Sequence, residues 1–142
     1  MIILDTDHAT VLRYPEHSQH AALSAKMEQS ADRNFSMTAI TVEEQLRGWL
    51  AAIRRARKVH DQILYYTRLI ALVRFLNKWR ILPFNEPAAD RFEAFRKERI
   101  RIGTQDLKIA SIALEAGALL LSANLRDLSR CRAYGLRIGC TN

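Results

Sequence analysis

The sequence predicts an α/β domain of three layers, with helices on both faces of a central, mostly parallel sheet of four or five strands. Three observations point there. Short, wholly apolar runs such as Ile2-Ile3-Leu4 and Ala118-Leu119-Leu120-Leu121 have the character of strands buried on both faces. Longer segments with helical periodicity separate them, as parallel crossovers require. The 142 residues, 49% hydrophobic and 26% charged, suit one domain that folds without disulfides or a structural metal.

Each element has its own signal. Ile2-Ile3-Leu4 ends at Asp5, and Thr6 or Asp7 can cap a short helix running to about Leu12. Pro15 separates it from a polar helix near residues 17–31, and Asn34 to Thr38 reads as the second strand. The next helix is expected from Thr41, because Thr41-x-x-Glu44 matches a capping box. Val42, Leu46, Trp49, Leu50 and Ile53 give it an apolar face. A second long helix covers about residues 57–79, with Ile63, Tyr66, Ile70, Val73 and Asn77 along one line. Together the two should form a projecting helical hairpin with a basic face, around residues 41–79.

Ile81 to Phe84 is a short strand, and Pro83 argues for its end. Pro87 suits the first turn of a helix with Ala88, Phe92 and Phe95 inward, ended or interrupted by Gly103. Another helix follows Asp106 and stops at Gly117. After the strand Ala118–Leu121, Asn124 opens a helical turn, and Leu136 to Cys140 makes a short edge strand.

Net charge is +7, and its distribution says more than its total. Residues 47–80 carry nine Lys or Arg against Asp61 alone, whereas residues 1–46 are net acidic. So localised a positive field suits a polyanion such as nucleic acid, or an acidic protein partner. No stretch approaches the ~18 apolar residues of a membrane span, and the start, MIILDTDH, lacks the basic flank and long apolar run of a signal peptide. The expected location is cytoplasmic. Cys131 and Cys140, the only cysteines, are expected to be buried thiols rather than a disulfide or zinc ligands.

In open α/β sheets, sites form beyond the carboxyl ends of strands. Asp5 follows the first strand and Asn124 follows the strand 118–121. Glu44 and Asp106 lie in the first turns of helices that should begin at that same edge. Helix capping could equally explain Glu44, Asp106 and Asn124. Asp5 differs, because an acid directly after a buried strand is costly unless paired or metal-bound.

Four stretches carry a resemblance to a known family: LDTDH at 4–8, SMTAITVEEQLRG at 36–48, RIGTQDLKIASIALEAGALLLSAN at 101–124 and NLRDLSRCRAYGLRI at 124–138. In that order and spacing the chain resembles the PIN-domain ribonucleases, and among them the VapC-type toxins of toxin–antitoxin pairs. The resemblance implies a PIN-like fold over residues 1–142. It implies catalytic roles for Asp5, Glu44, Asp106 and Asn124, with Asp5, Asp106 and Glu44 as ligands of Mg²⁺, or alternatively Mn²⁺. It further implies an RNA substrate, a cognate antitoxin and a homodimer. Ser122-Ala123, Leu128 and the neutral Asn124 depart from the family's common residues.

Such a site would hydrolyse phosphodiesters. Clustered carboxylates repel one another and call for a cation. Oxygen donors with no His or Cys nearby favour a hard ion over zinc. Asp127 could serve a second ion, Asp7 could orient Asp5, and His8 is read as structural. Arg47, Arg99, Arg101 and Lys108 are expected to flank the acids and hold the RNA backbone. Two alternatives use the same residues otherwise: a non-enzymatic nucleic-acid-binding module that spends the acids on caps, and a PIN-like nuclease acting on structured DNA.

Overall fold

Three consecutive apolar residues need cover on both sides, and Ile2–Leu4 (β1) becomes the middle strand of the sheet. The computed structural model describes residues 1–140. With β1 pair β2 (Phe35–Thr38), β3 (Arg80–Leu82), β4 (Leu119–Leu121) and β5 (Arg137–Gly139), in the order β3-β2-β1-β4-β5. All four pairings are parallel, so the predicted three-layer α/β/α class holds, with five strands.

Side chains alternate across a strand, and neighbours in β1 serve two cores. Ile3 joins Leu120, Phe92, Phe95 and the apolar residues of α6 on one face. Leu4 joins Met37, Leu72 and Leu76 on the other. The first face is covered by α5 (Glu86–Lys97), α6 (Thr104–Glu115), α7 (Leu125–Leu128) and a 3-10 helix at Ser129–Tyr134. The second is covered by α1 (Thr6–Arg13), α2 (His20–Gln29), α3 (Ala39–Arg55) and α4 (Val59–Leu76). Each fully buried Leu or Ile contributes about 1.5–3 kcal/mol.

Several boundaries differ from expectation for physical reasons. The helix expected from Thr41 starts at Ala39, because the Thr38 hydroxyl caps it by accepting from the Thr41 N–H at 3.2 Å. Thr41 is itself buried beside Thr38, so the Thr41–Glu44 capping box does not form. α4 spans Val59–Leu76 rather than 57–79, and Lys78 and Trp79 lie in a turn leading into β3. α5 ends at Lys97, well before Gly103, with Arg99 in the left-handed region at φ 56°. Gly103 instead precedes α6 as its N-cap. Cys131 is buried as expected, and burial raises its thiol pKa; Cys140 is exposed. Among the described residues, no helix is long and apolar enough to cross a membrane.

Candidate active site

The chain builds β1, adds β2 and β3 on one side, then crosses to β4 and β5 on the other. Strand order therefore reverses between β1 and β4, where a parallel sheet leaves a crevice at its carboxyl edge. Asp5 stands at the end of β1 and its N–H is tied to the Leu121 carbonyl of β4 at 3.1 Å. Ser122, Ala123 and Asn124 lead out of β4 at the same edge.

Asp5 is 7% exposed and fully engaged. Its Oδ1 accepts from the His8 N–H at 3.0 Å, which makes Asp5 the N-cap of α1 in place of Thr6 or Asp7. The same oxygen lies 2.6 Å from His8 Nδ1. A carboxylate only accepts, so that nitrogen carries the proton. Asp5 Oδ2 accepts from the Ala123 N–H at 3.3 Å. Burial pushes the Asp5 pKa up, but the bonds from His8 and Ser122 outweigh it and hold the carboxyl below its ordinary value. His8 is buried, and its backbone and ring nitrogens both meet Asp5 Oδ1.

The other three predicted residues meet Asp5 in one open cleft of about 520 Å³, lined also by Thr6 and Asp7. Glu44 lies in the second turn of α3, clear of the cap, and its Oε2 accepts from the Thr6 hydroxyl. Asp106 lies in the first turn of α6, but Gly103 holds the cap position. Its Oδ2 accepts from Asn124 Nδ2 at 2.9 Å. Asn124 precedes α7 without a side-chain cap, and the same amide reaches Asp127 Oδ2 at 3.3 Å. Glu44, Asp106 and Asn124 thus make none of the capping bonds that could have explained them away. Asp5, the residue argued on other grounds, makes one.

Like charges crowd the cleft. The pKa of Asp7 is raised by partial burial, then by the Asp5 carboxylate, with a further push from Asp106. No Lys or Arg lines this cleft. Arg47, expected at its rim, pairs with Glu43, whose other oxygen accepts from Gln105 at 2.9 Å. Lys108 places its ammonium 5.8 Å from the Phe84 ring centre. The carbonyl of the exposed Arg101 accepts from the Arg130 guanidinium at 2.7 Å. Sequence reasoning missed Thr6 and Ser122, which hold Glu44 and Asp5, and the Glu43–Gln105 bond between α3 and α6. Only Thr6, adjacent to Asp5, had a local signal.

No protein-family model matches the chain, and no curated protein does. Solved structures do match. A DNA-bound VapBC from Salmonella typhimurium is similar at TM-score 0.75 and 21% identity, over 99% of this chain and 98% of that one. VapBC-1 from nontypeable Haemophilus influenzae gives 0.73 and 22% over the same shares. VapBC2 from Rickettsia felis, bound to a promoter DNA fragment, gives 0.72 and 19%, again over 99% and 98%. At such identities the likeness shows a shared fold.

Proposed function

We propose that this chain is a Mg²⁺-dependent endoribonuclease, a single PIN-like domain acting as a VapC-type cytoplasmic toxin under the control of a cognate antitoxin. The observation that carries the reading is the cleft itself. Asp5, Glu44, Asp106 and Asn124, spread over most of the chain, line one crevice at the reversal point of the sheet, with Asp7 beside them. The fold shared with VapBC structures and the family motifs of the sequence support the same reading.

The donor set suits a hard divalent ion, because every group is an oxygen ligand. Among the described residues no three His, Cys, Asp or Glu form a ready-made metal cage. Mg²⁺ does not need one, since it is commonly held by one or two carboxylates and keeps several waters. Asp5 and Asp106 would hold the ion, with Glu44 completing the shell directly or through water. Mn²⁺ fits the same oxygens. Bound there, the ion supplies an activated water and charge relief at the phosphoryl group. The chain's residues do the positioning. His8 and the Ala123 N–H fix Asp5, Thr6 fixes Glu44, and the Asn124 amide fixes Asp106.

The purified protein is therefore expected to cut single-stranded RNA in the presence of Mg²⁺ and to stop when EDTA removes it. Digesting labelled RNA and DNA of the same sequence side by side checks this. Cleavage of DNA in preference to RNA, or cleavage that survives the chelator, would count against it.

The same proposal includes a homodimer. On α4, Val59, Ile63, Tyr66, Ile70 and Val73 are each half-exposed or more, and they alternate spacings of four and three residues. That is the seam along which one helix packs on another, and monomers seldom leave so much apolar surface open. Sedimentation velocity should give a dimer for the native chain and a folded monomer for Ile63→Glu with Ile70→Glu.

A further inference from the structure

The acidic cleft has a difficulty as an RNA site. Four carboxyl side chains line it and no cation does, so it repels the phosphate strand that it is proposed to cut. The grip must come from elsewhere on the molecule. The densest positive charge lies at the tip of the α3–α4 hairpin, where Arg54, Arg55, Arg57 and Lys58 are all exposed. None of these four has an ion pair or side-chain hydrogen bond among the described residues.

Helix stability does not account for them all. Arg54 and Arg55 end α3, where a helix favours cations. Arg57 and Lys58 stand at the start of α4, where a helix disfavours them. The tip nevertheless has a defined shape. Gln62 Nε2 donates to the Ile53 carbonyl at 3.2 Å and the Ala56 carbonyl at 3.5 Å, tying the two helices across the turn. Arg55, Arg57, Lys58 and Tyr65 line a cup of about 460 Å³ with Asp61 as its sole acid. This lies within the range of about 300–1,000 Å³ usual for ligand sites. The Tyr65 ring is braced by Trp49, 6.4 Å away between centres. Cations around an aromatic wall are what a nucleic-acid strand uses, phosphates on the one and a base against the other.

We propose that this cup is a second RNA contact, a phosphate-binding anchor that holds the strand away from the acidic cleft. The inference rests on the ribonuclease reading and supplies its missing attraction. Glu44 and Arg55 lie on the same helix, eleven residues apart, or about 16 Å at the rise of an α-helix. A strand of several nucleotides can therefore touch both places, and a dinucleotide cannot.

The test compares the native chain with Arg55→Ala/Arg57→Ala/Lys58→Ala, all exposed positions outside the cleft. Binding of a fluorescein-labelled single-stranded RNA of about 16 nucleotides is followed by anisotropy across a salt series, in EDTA. Loss of three phosphate contacts should weaken binding about tenfold or more and make the log–log salt slope shallower by about 2. In Mg²⁺, kcat/KM for that RNA should fall in step while cleavage of a dinucleotide is unmoved. Unchanged affinity and slope would overturn the anchor. So would loss of binding to a labelled poly-glutamate peptide with RNA binding intact, which would assign the tip to an acidic protein. If the native chain cleaves nothing but the triple variant still loses RNA, the anchor stands and the nuclease reading falls.

Discussion

Asp5→Asn is expected to lower kcat/KM for RNA by roughly 10³-fold or more, the scale on which preorganised charge and metal ligation act, while leaving the fold in place. The separation is possible because the helix cap survives the change, although the amide nitrogen that replaces one carboxylate oxygen cannot accept from the Ala123 N–H as Oδ2 does. As N-cap of α1 it needs only an oxygen for the His8 N–H, and asparagine caps about as well as aspartate. As a charged group facing the cleft it cannot be replaced by an amide. Asp5→Ala should lose activity equally and also forfeit the cap, for a further cost of about 1 kcal/mol. A pH titration of stability adds an independent check. The folded pKa of Asp5 lies below its ordinary value of 3.8. Its ionisation therefore stabilises the fold above pH 3.8, and that contribution disappears as pH falls through the folded pKa. Asp5→Asn should remove this acid-induced loss. A variant that keeps full cleavage would return Asp5 to a purely structural role and sink the metal hypothesis with it.

The second large effect concerns stability. Phe95→Ala should cost about 3–5 kcal/mol, as expected for emptying a large buried site. Phe95 is 2% exposed in the core that carries α5 and α6. It also meets Tyr134 edge-to-face, 5.3 Å between ring centres. Against a total of about 5–15 kcal/mol for a typical domain, the loss is large enough to read directly as a lower urea midpoint. Since α6 carries Asp106, activity should fail at a lower temperature than in the native chain but survive in the cold. A change under 1 kcal/mol would mean that the neighbouring side chains close the gap.

Much of this architecture was legible because buried parallel strands announce themselves. Ile2–Leu4 and Leu119–Leu121 are uninterrupted apolar runs, and both lie in the middle of the sheet. Once those two strands are neighbours, Asp5 and Asn124 must share an edge. What escaped was local competition and long-range register. Thr38 and Thr41 both look like caps, and only the burial of Thr41 against Thr38 decides for the earlier one. Gly103 offers no capping oxygen, so Asp106 seemed the better start of α6. The bonds from Thr6 to Glu44 and from Gln105 to Glu43 depend on how whole helices sit against one another. No periodicity within one helix encodes that. The basic segment shows in the charge distribution, but nearness in sequence to Glu44 and Asp106 put Arg47, Arg99, Arg101 and Lys108 beside the acids, whereas none of them lines the cleft.

Because Ile2 pairs with Leu119, the centre of the sheet joins strands 117 positions apart in sequence. Such distant pairings form late, since a long loop must close before any contact rewards it. During synthesis β1 emerges well before its β4 neighbour. Until then Ala123 cannot reach Asp5, and Asn124 cannot reach Asp106. A nascent chain thus displays Asp5, Asp7 and Glu44 long before the cleft they line is complete. On the ribonuclease reading proposed above, a chain whose cleft closes only when β4 arrives would spare the ribosome and message producing it until then.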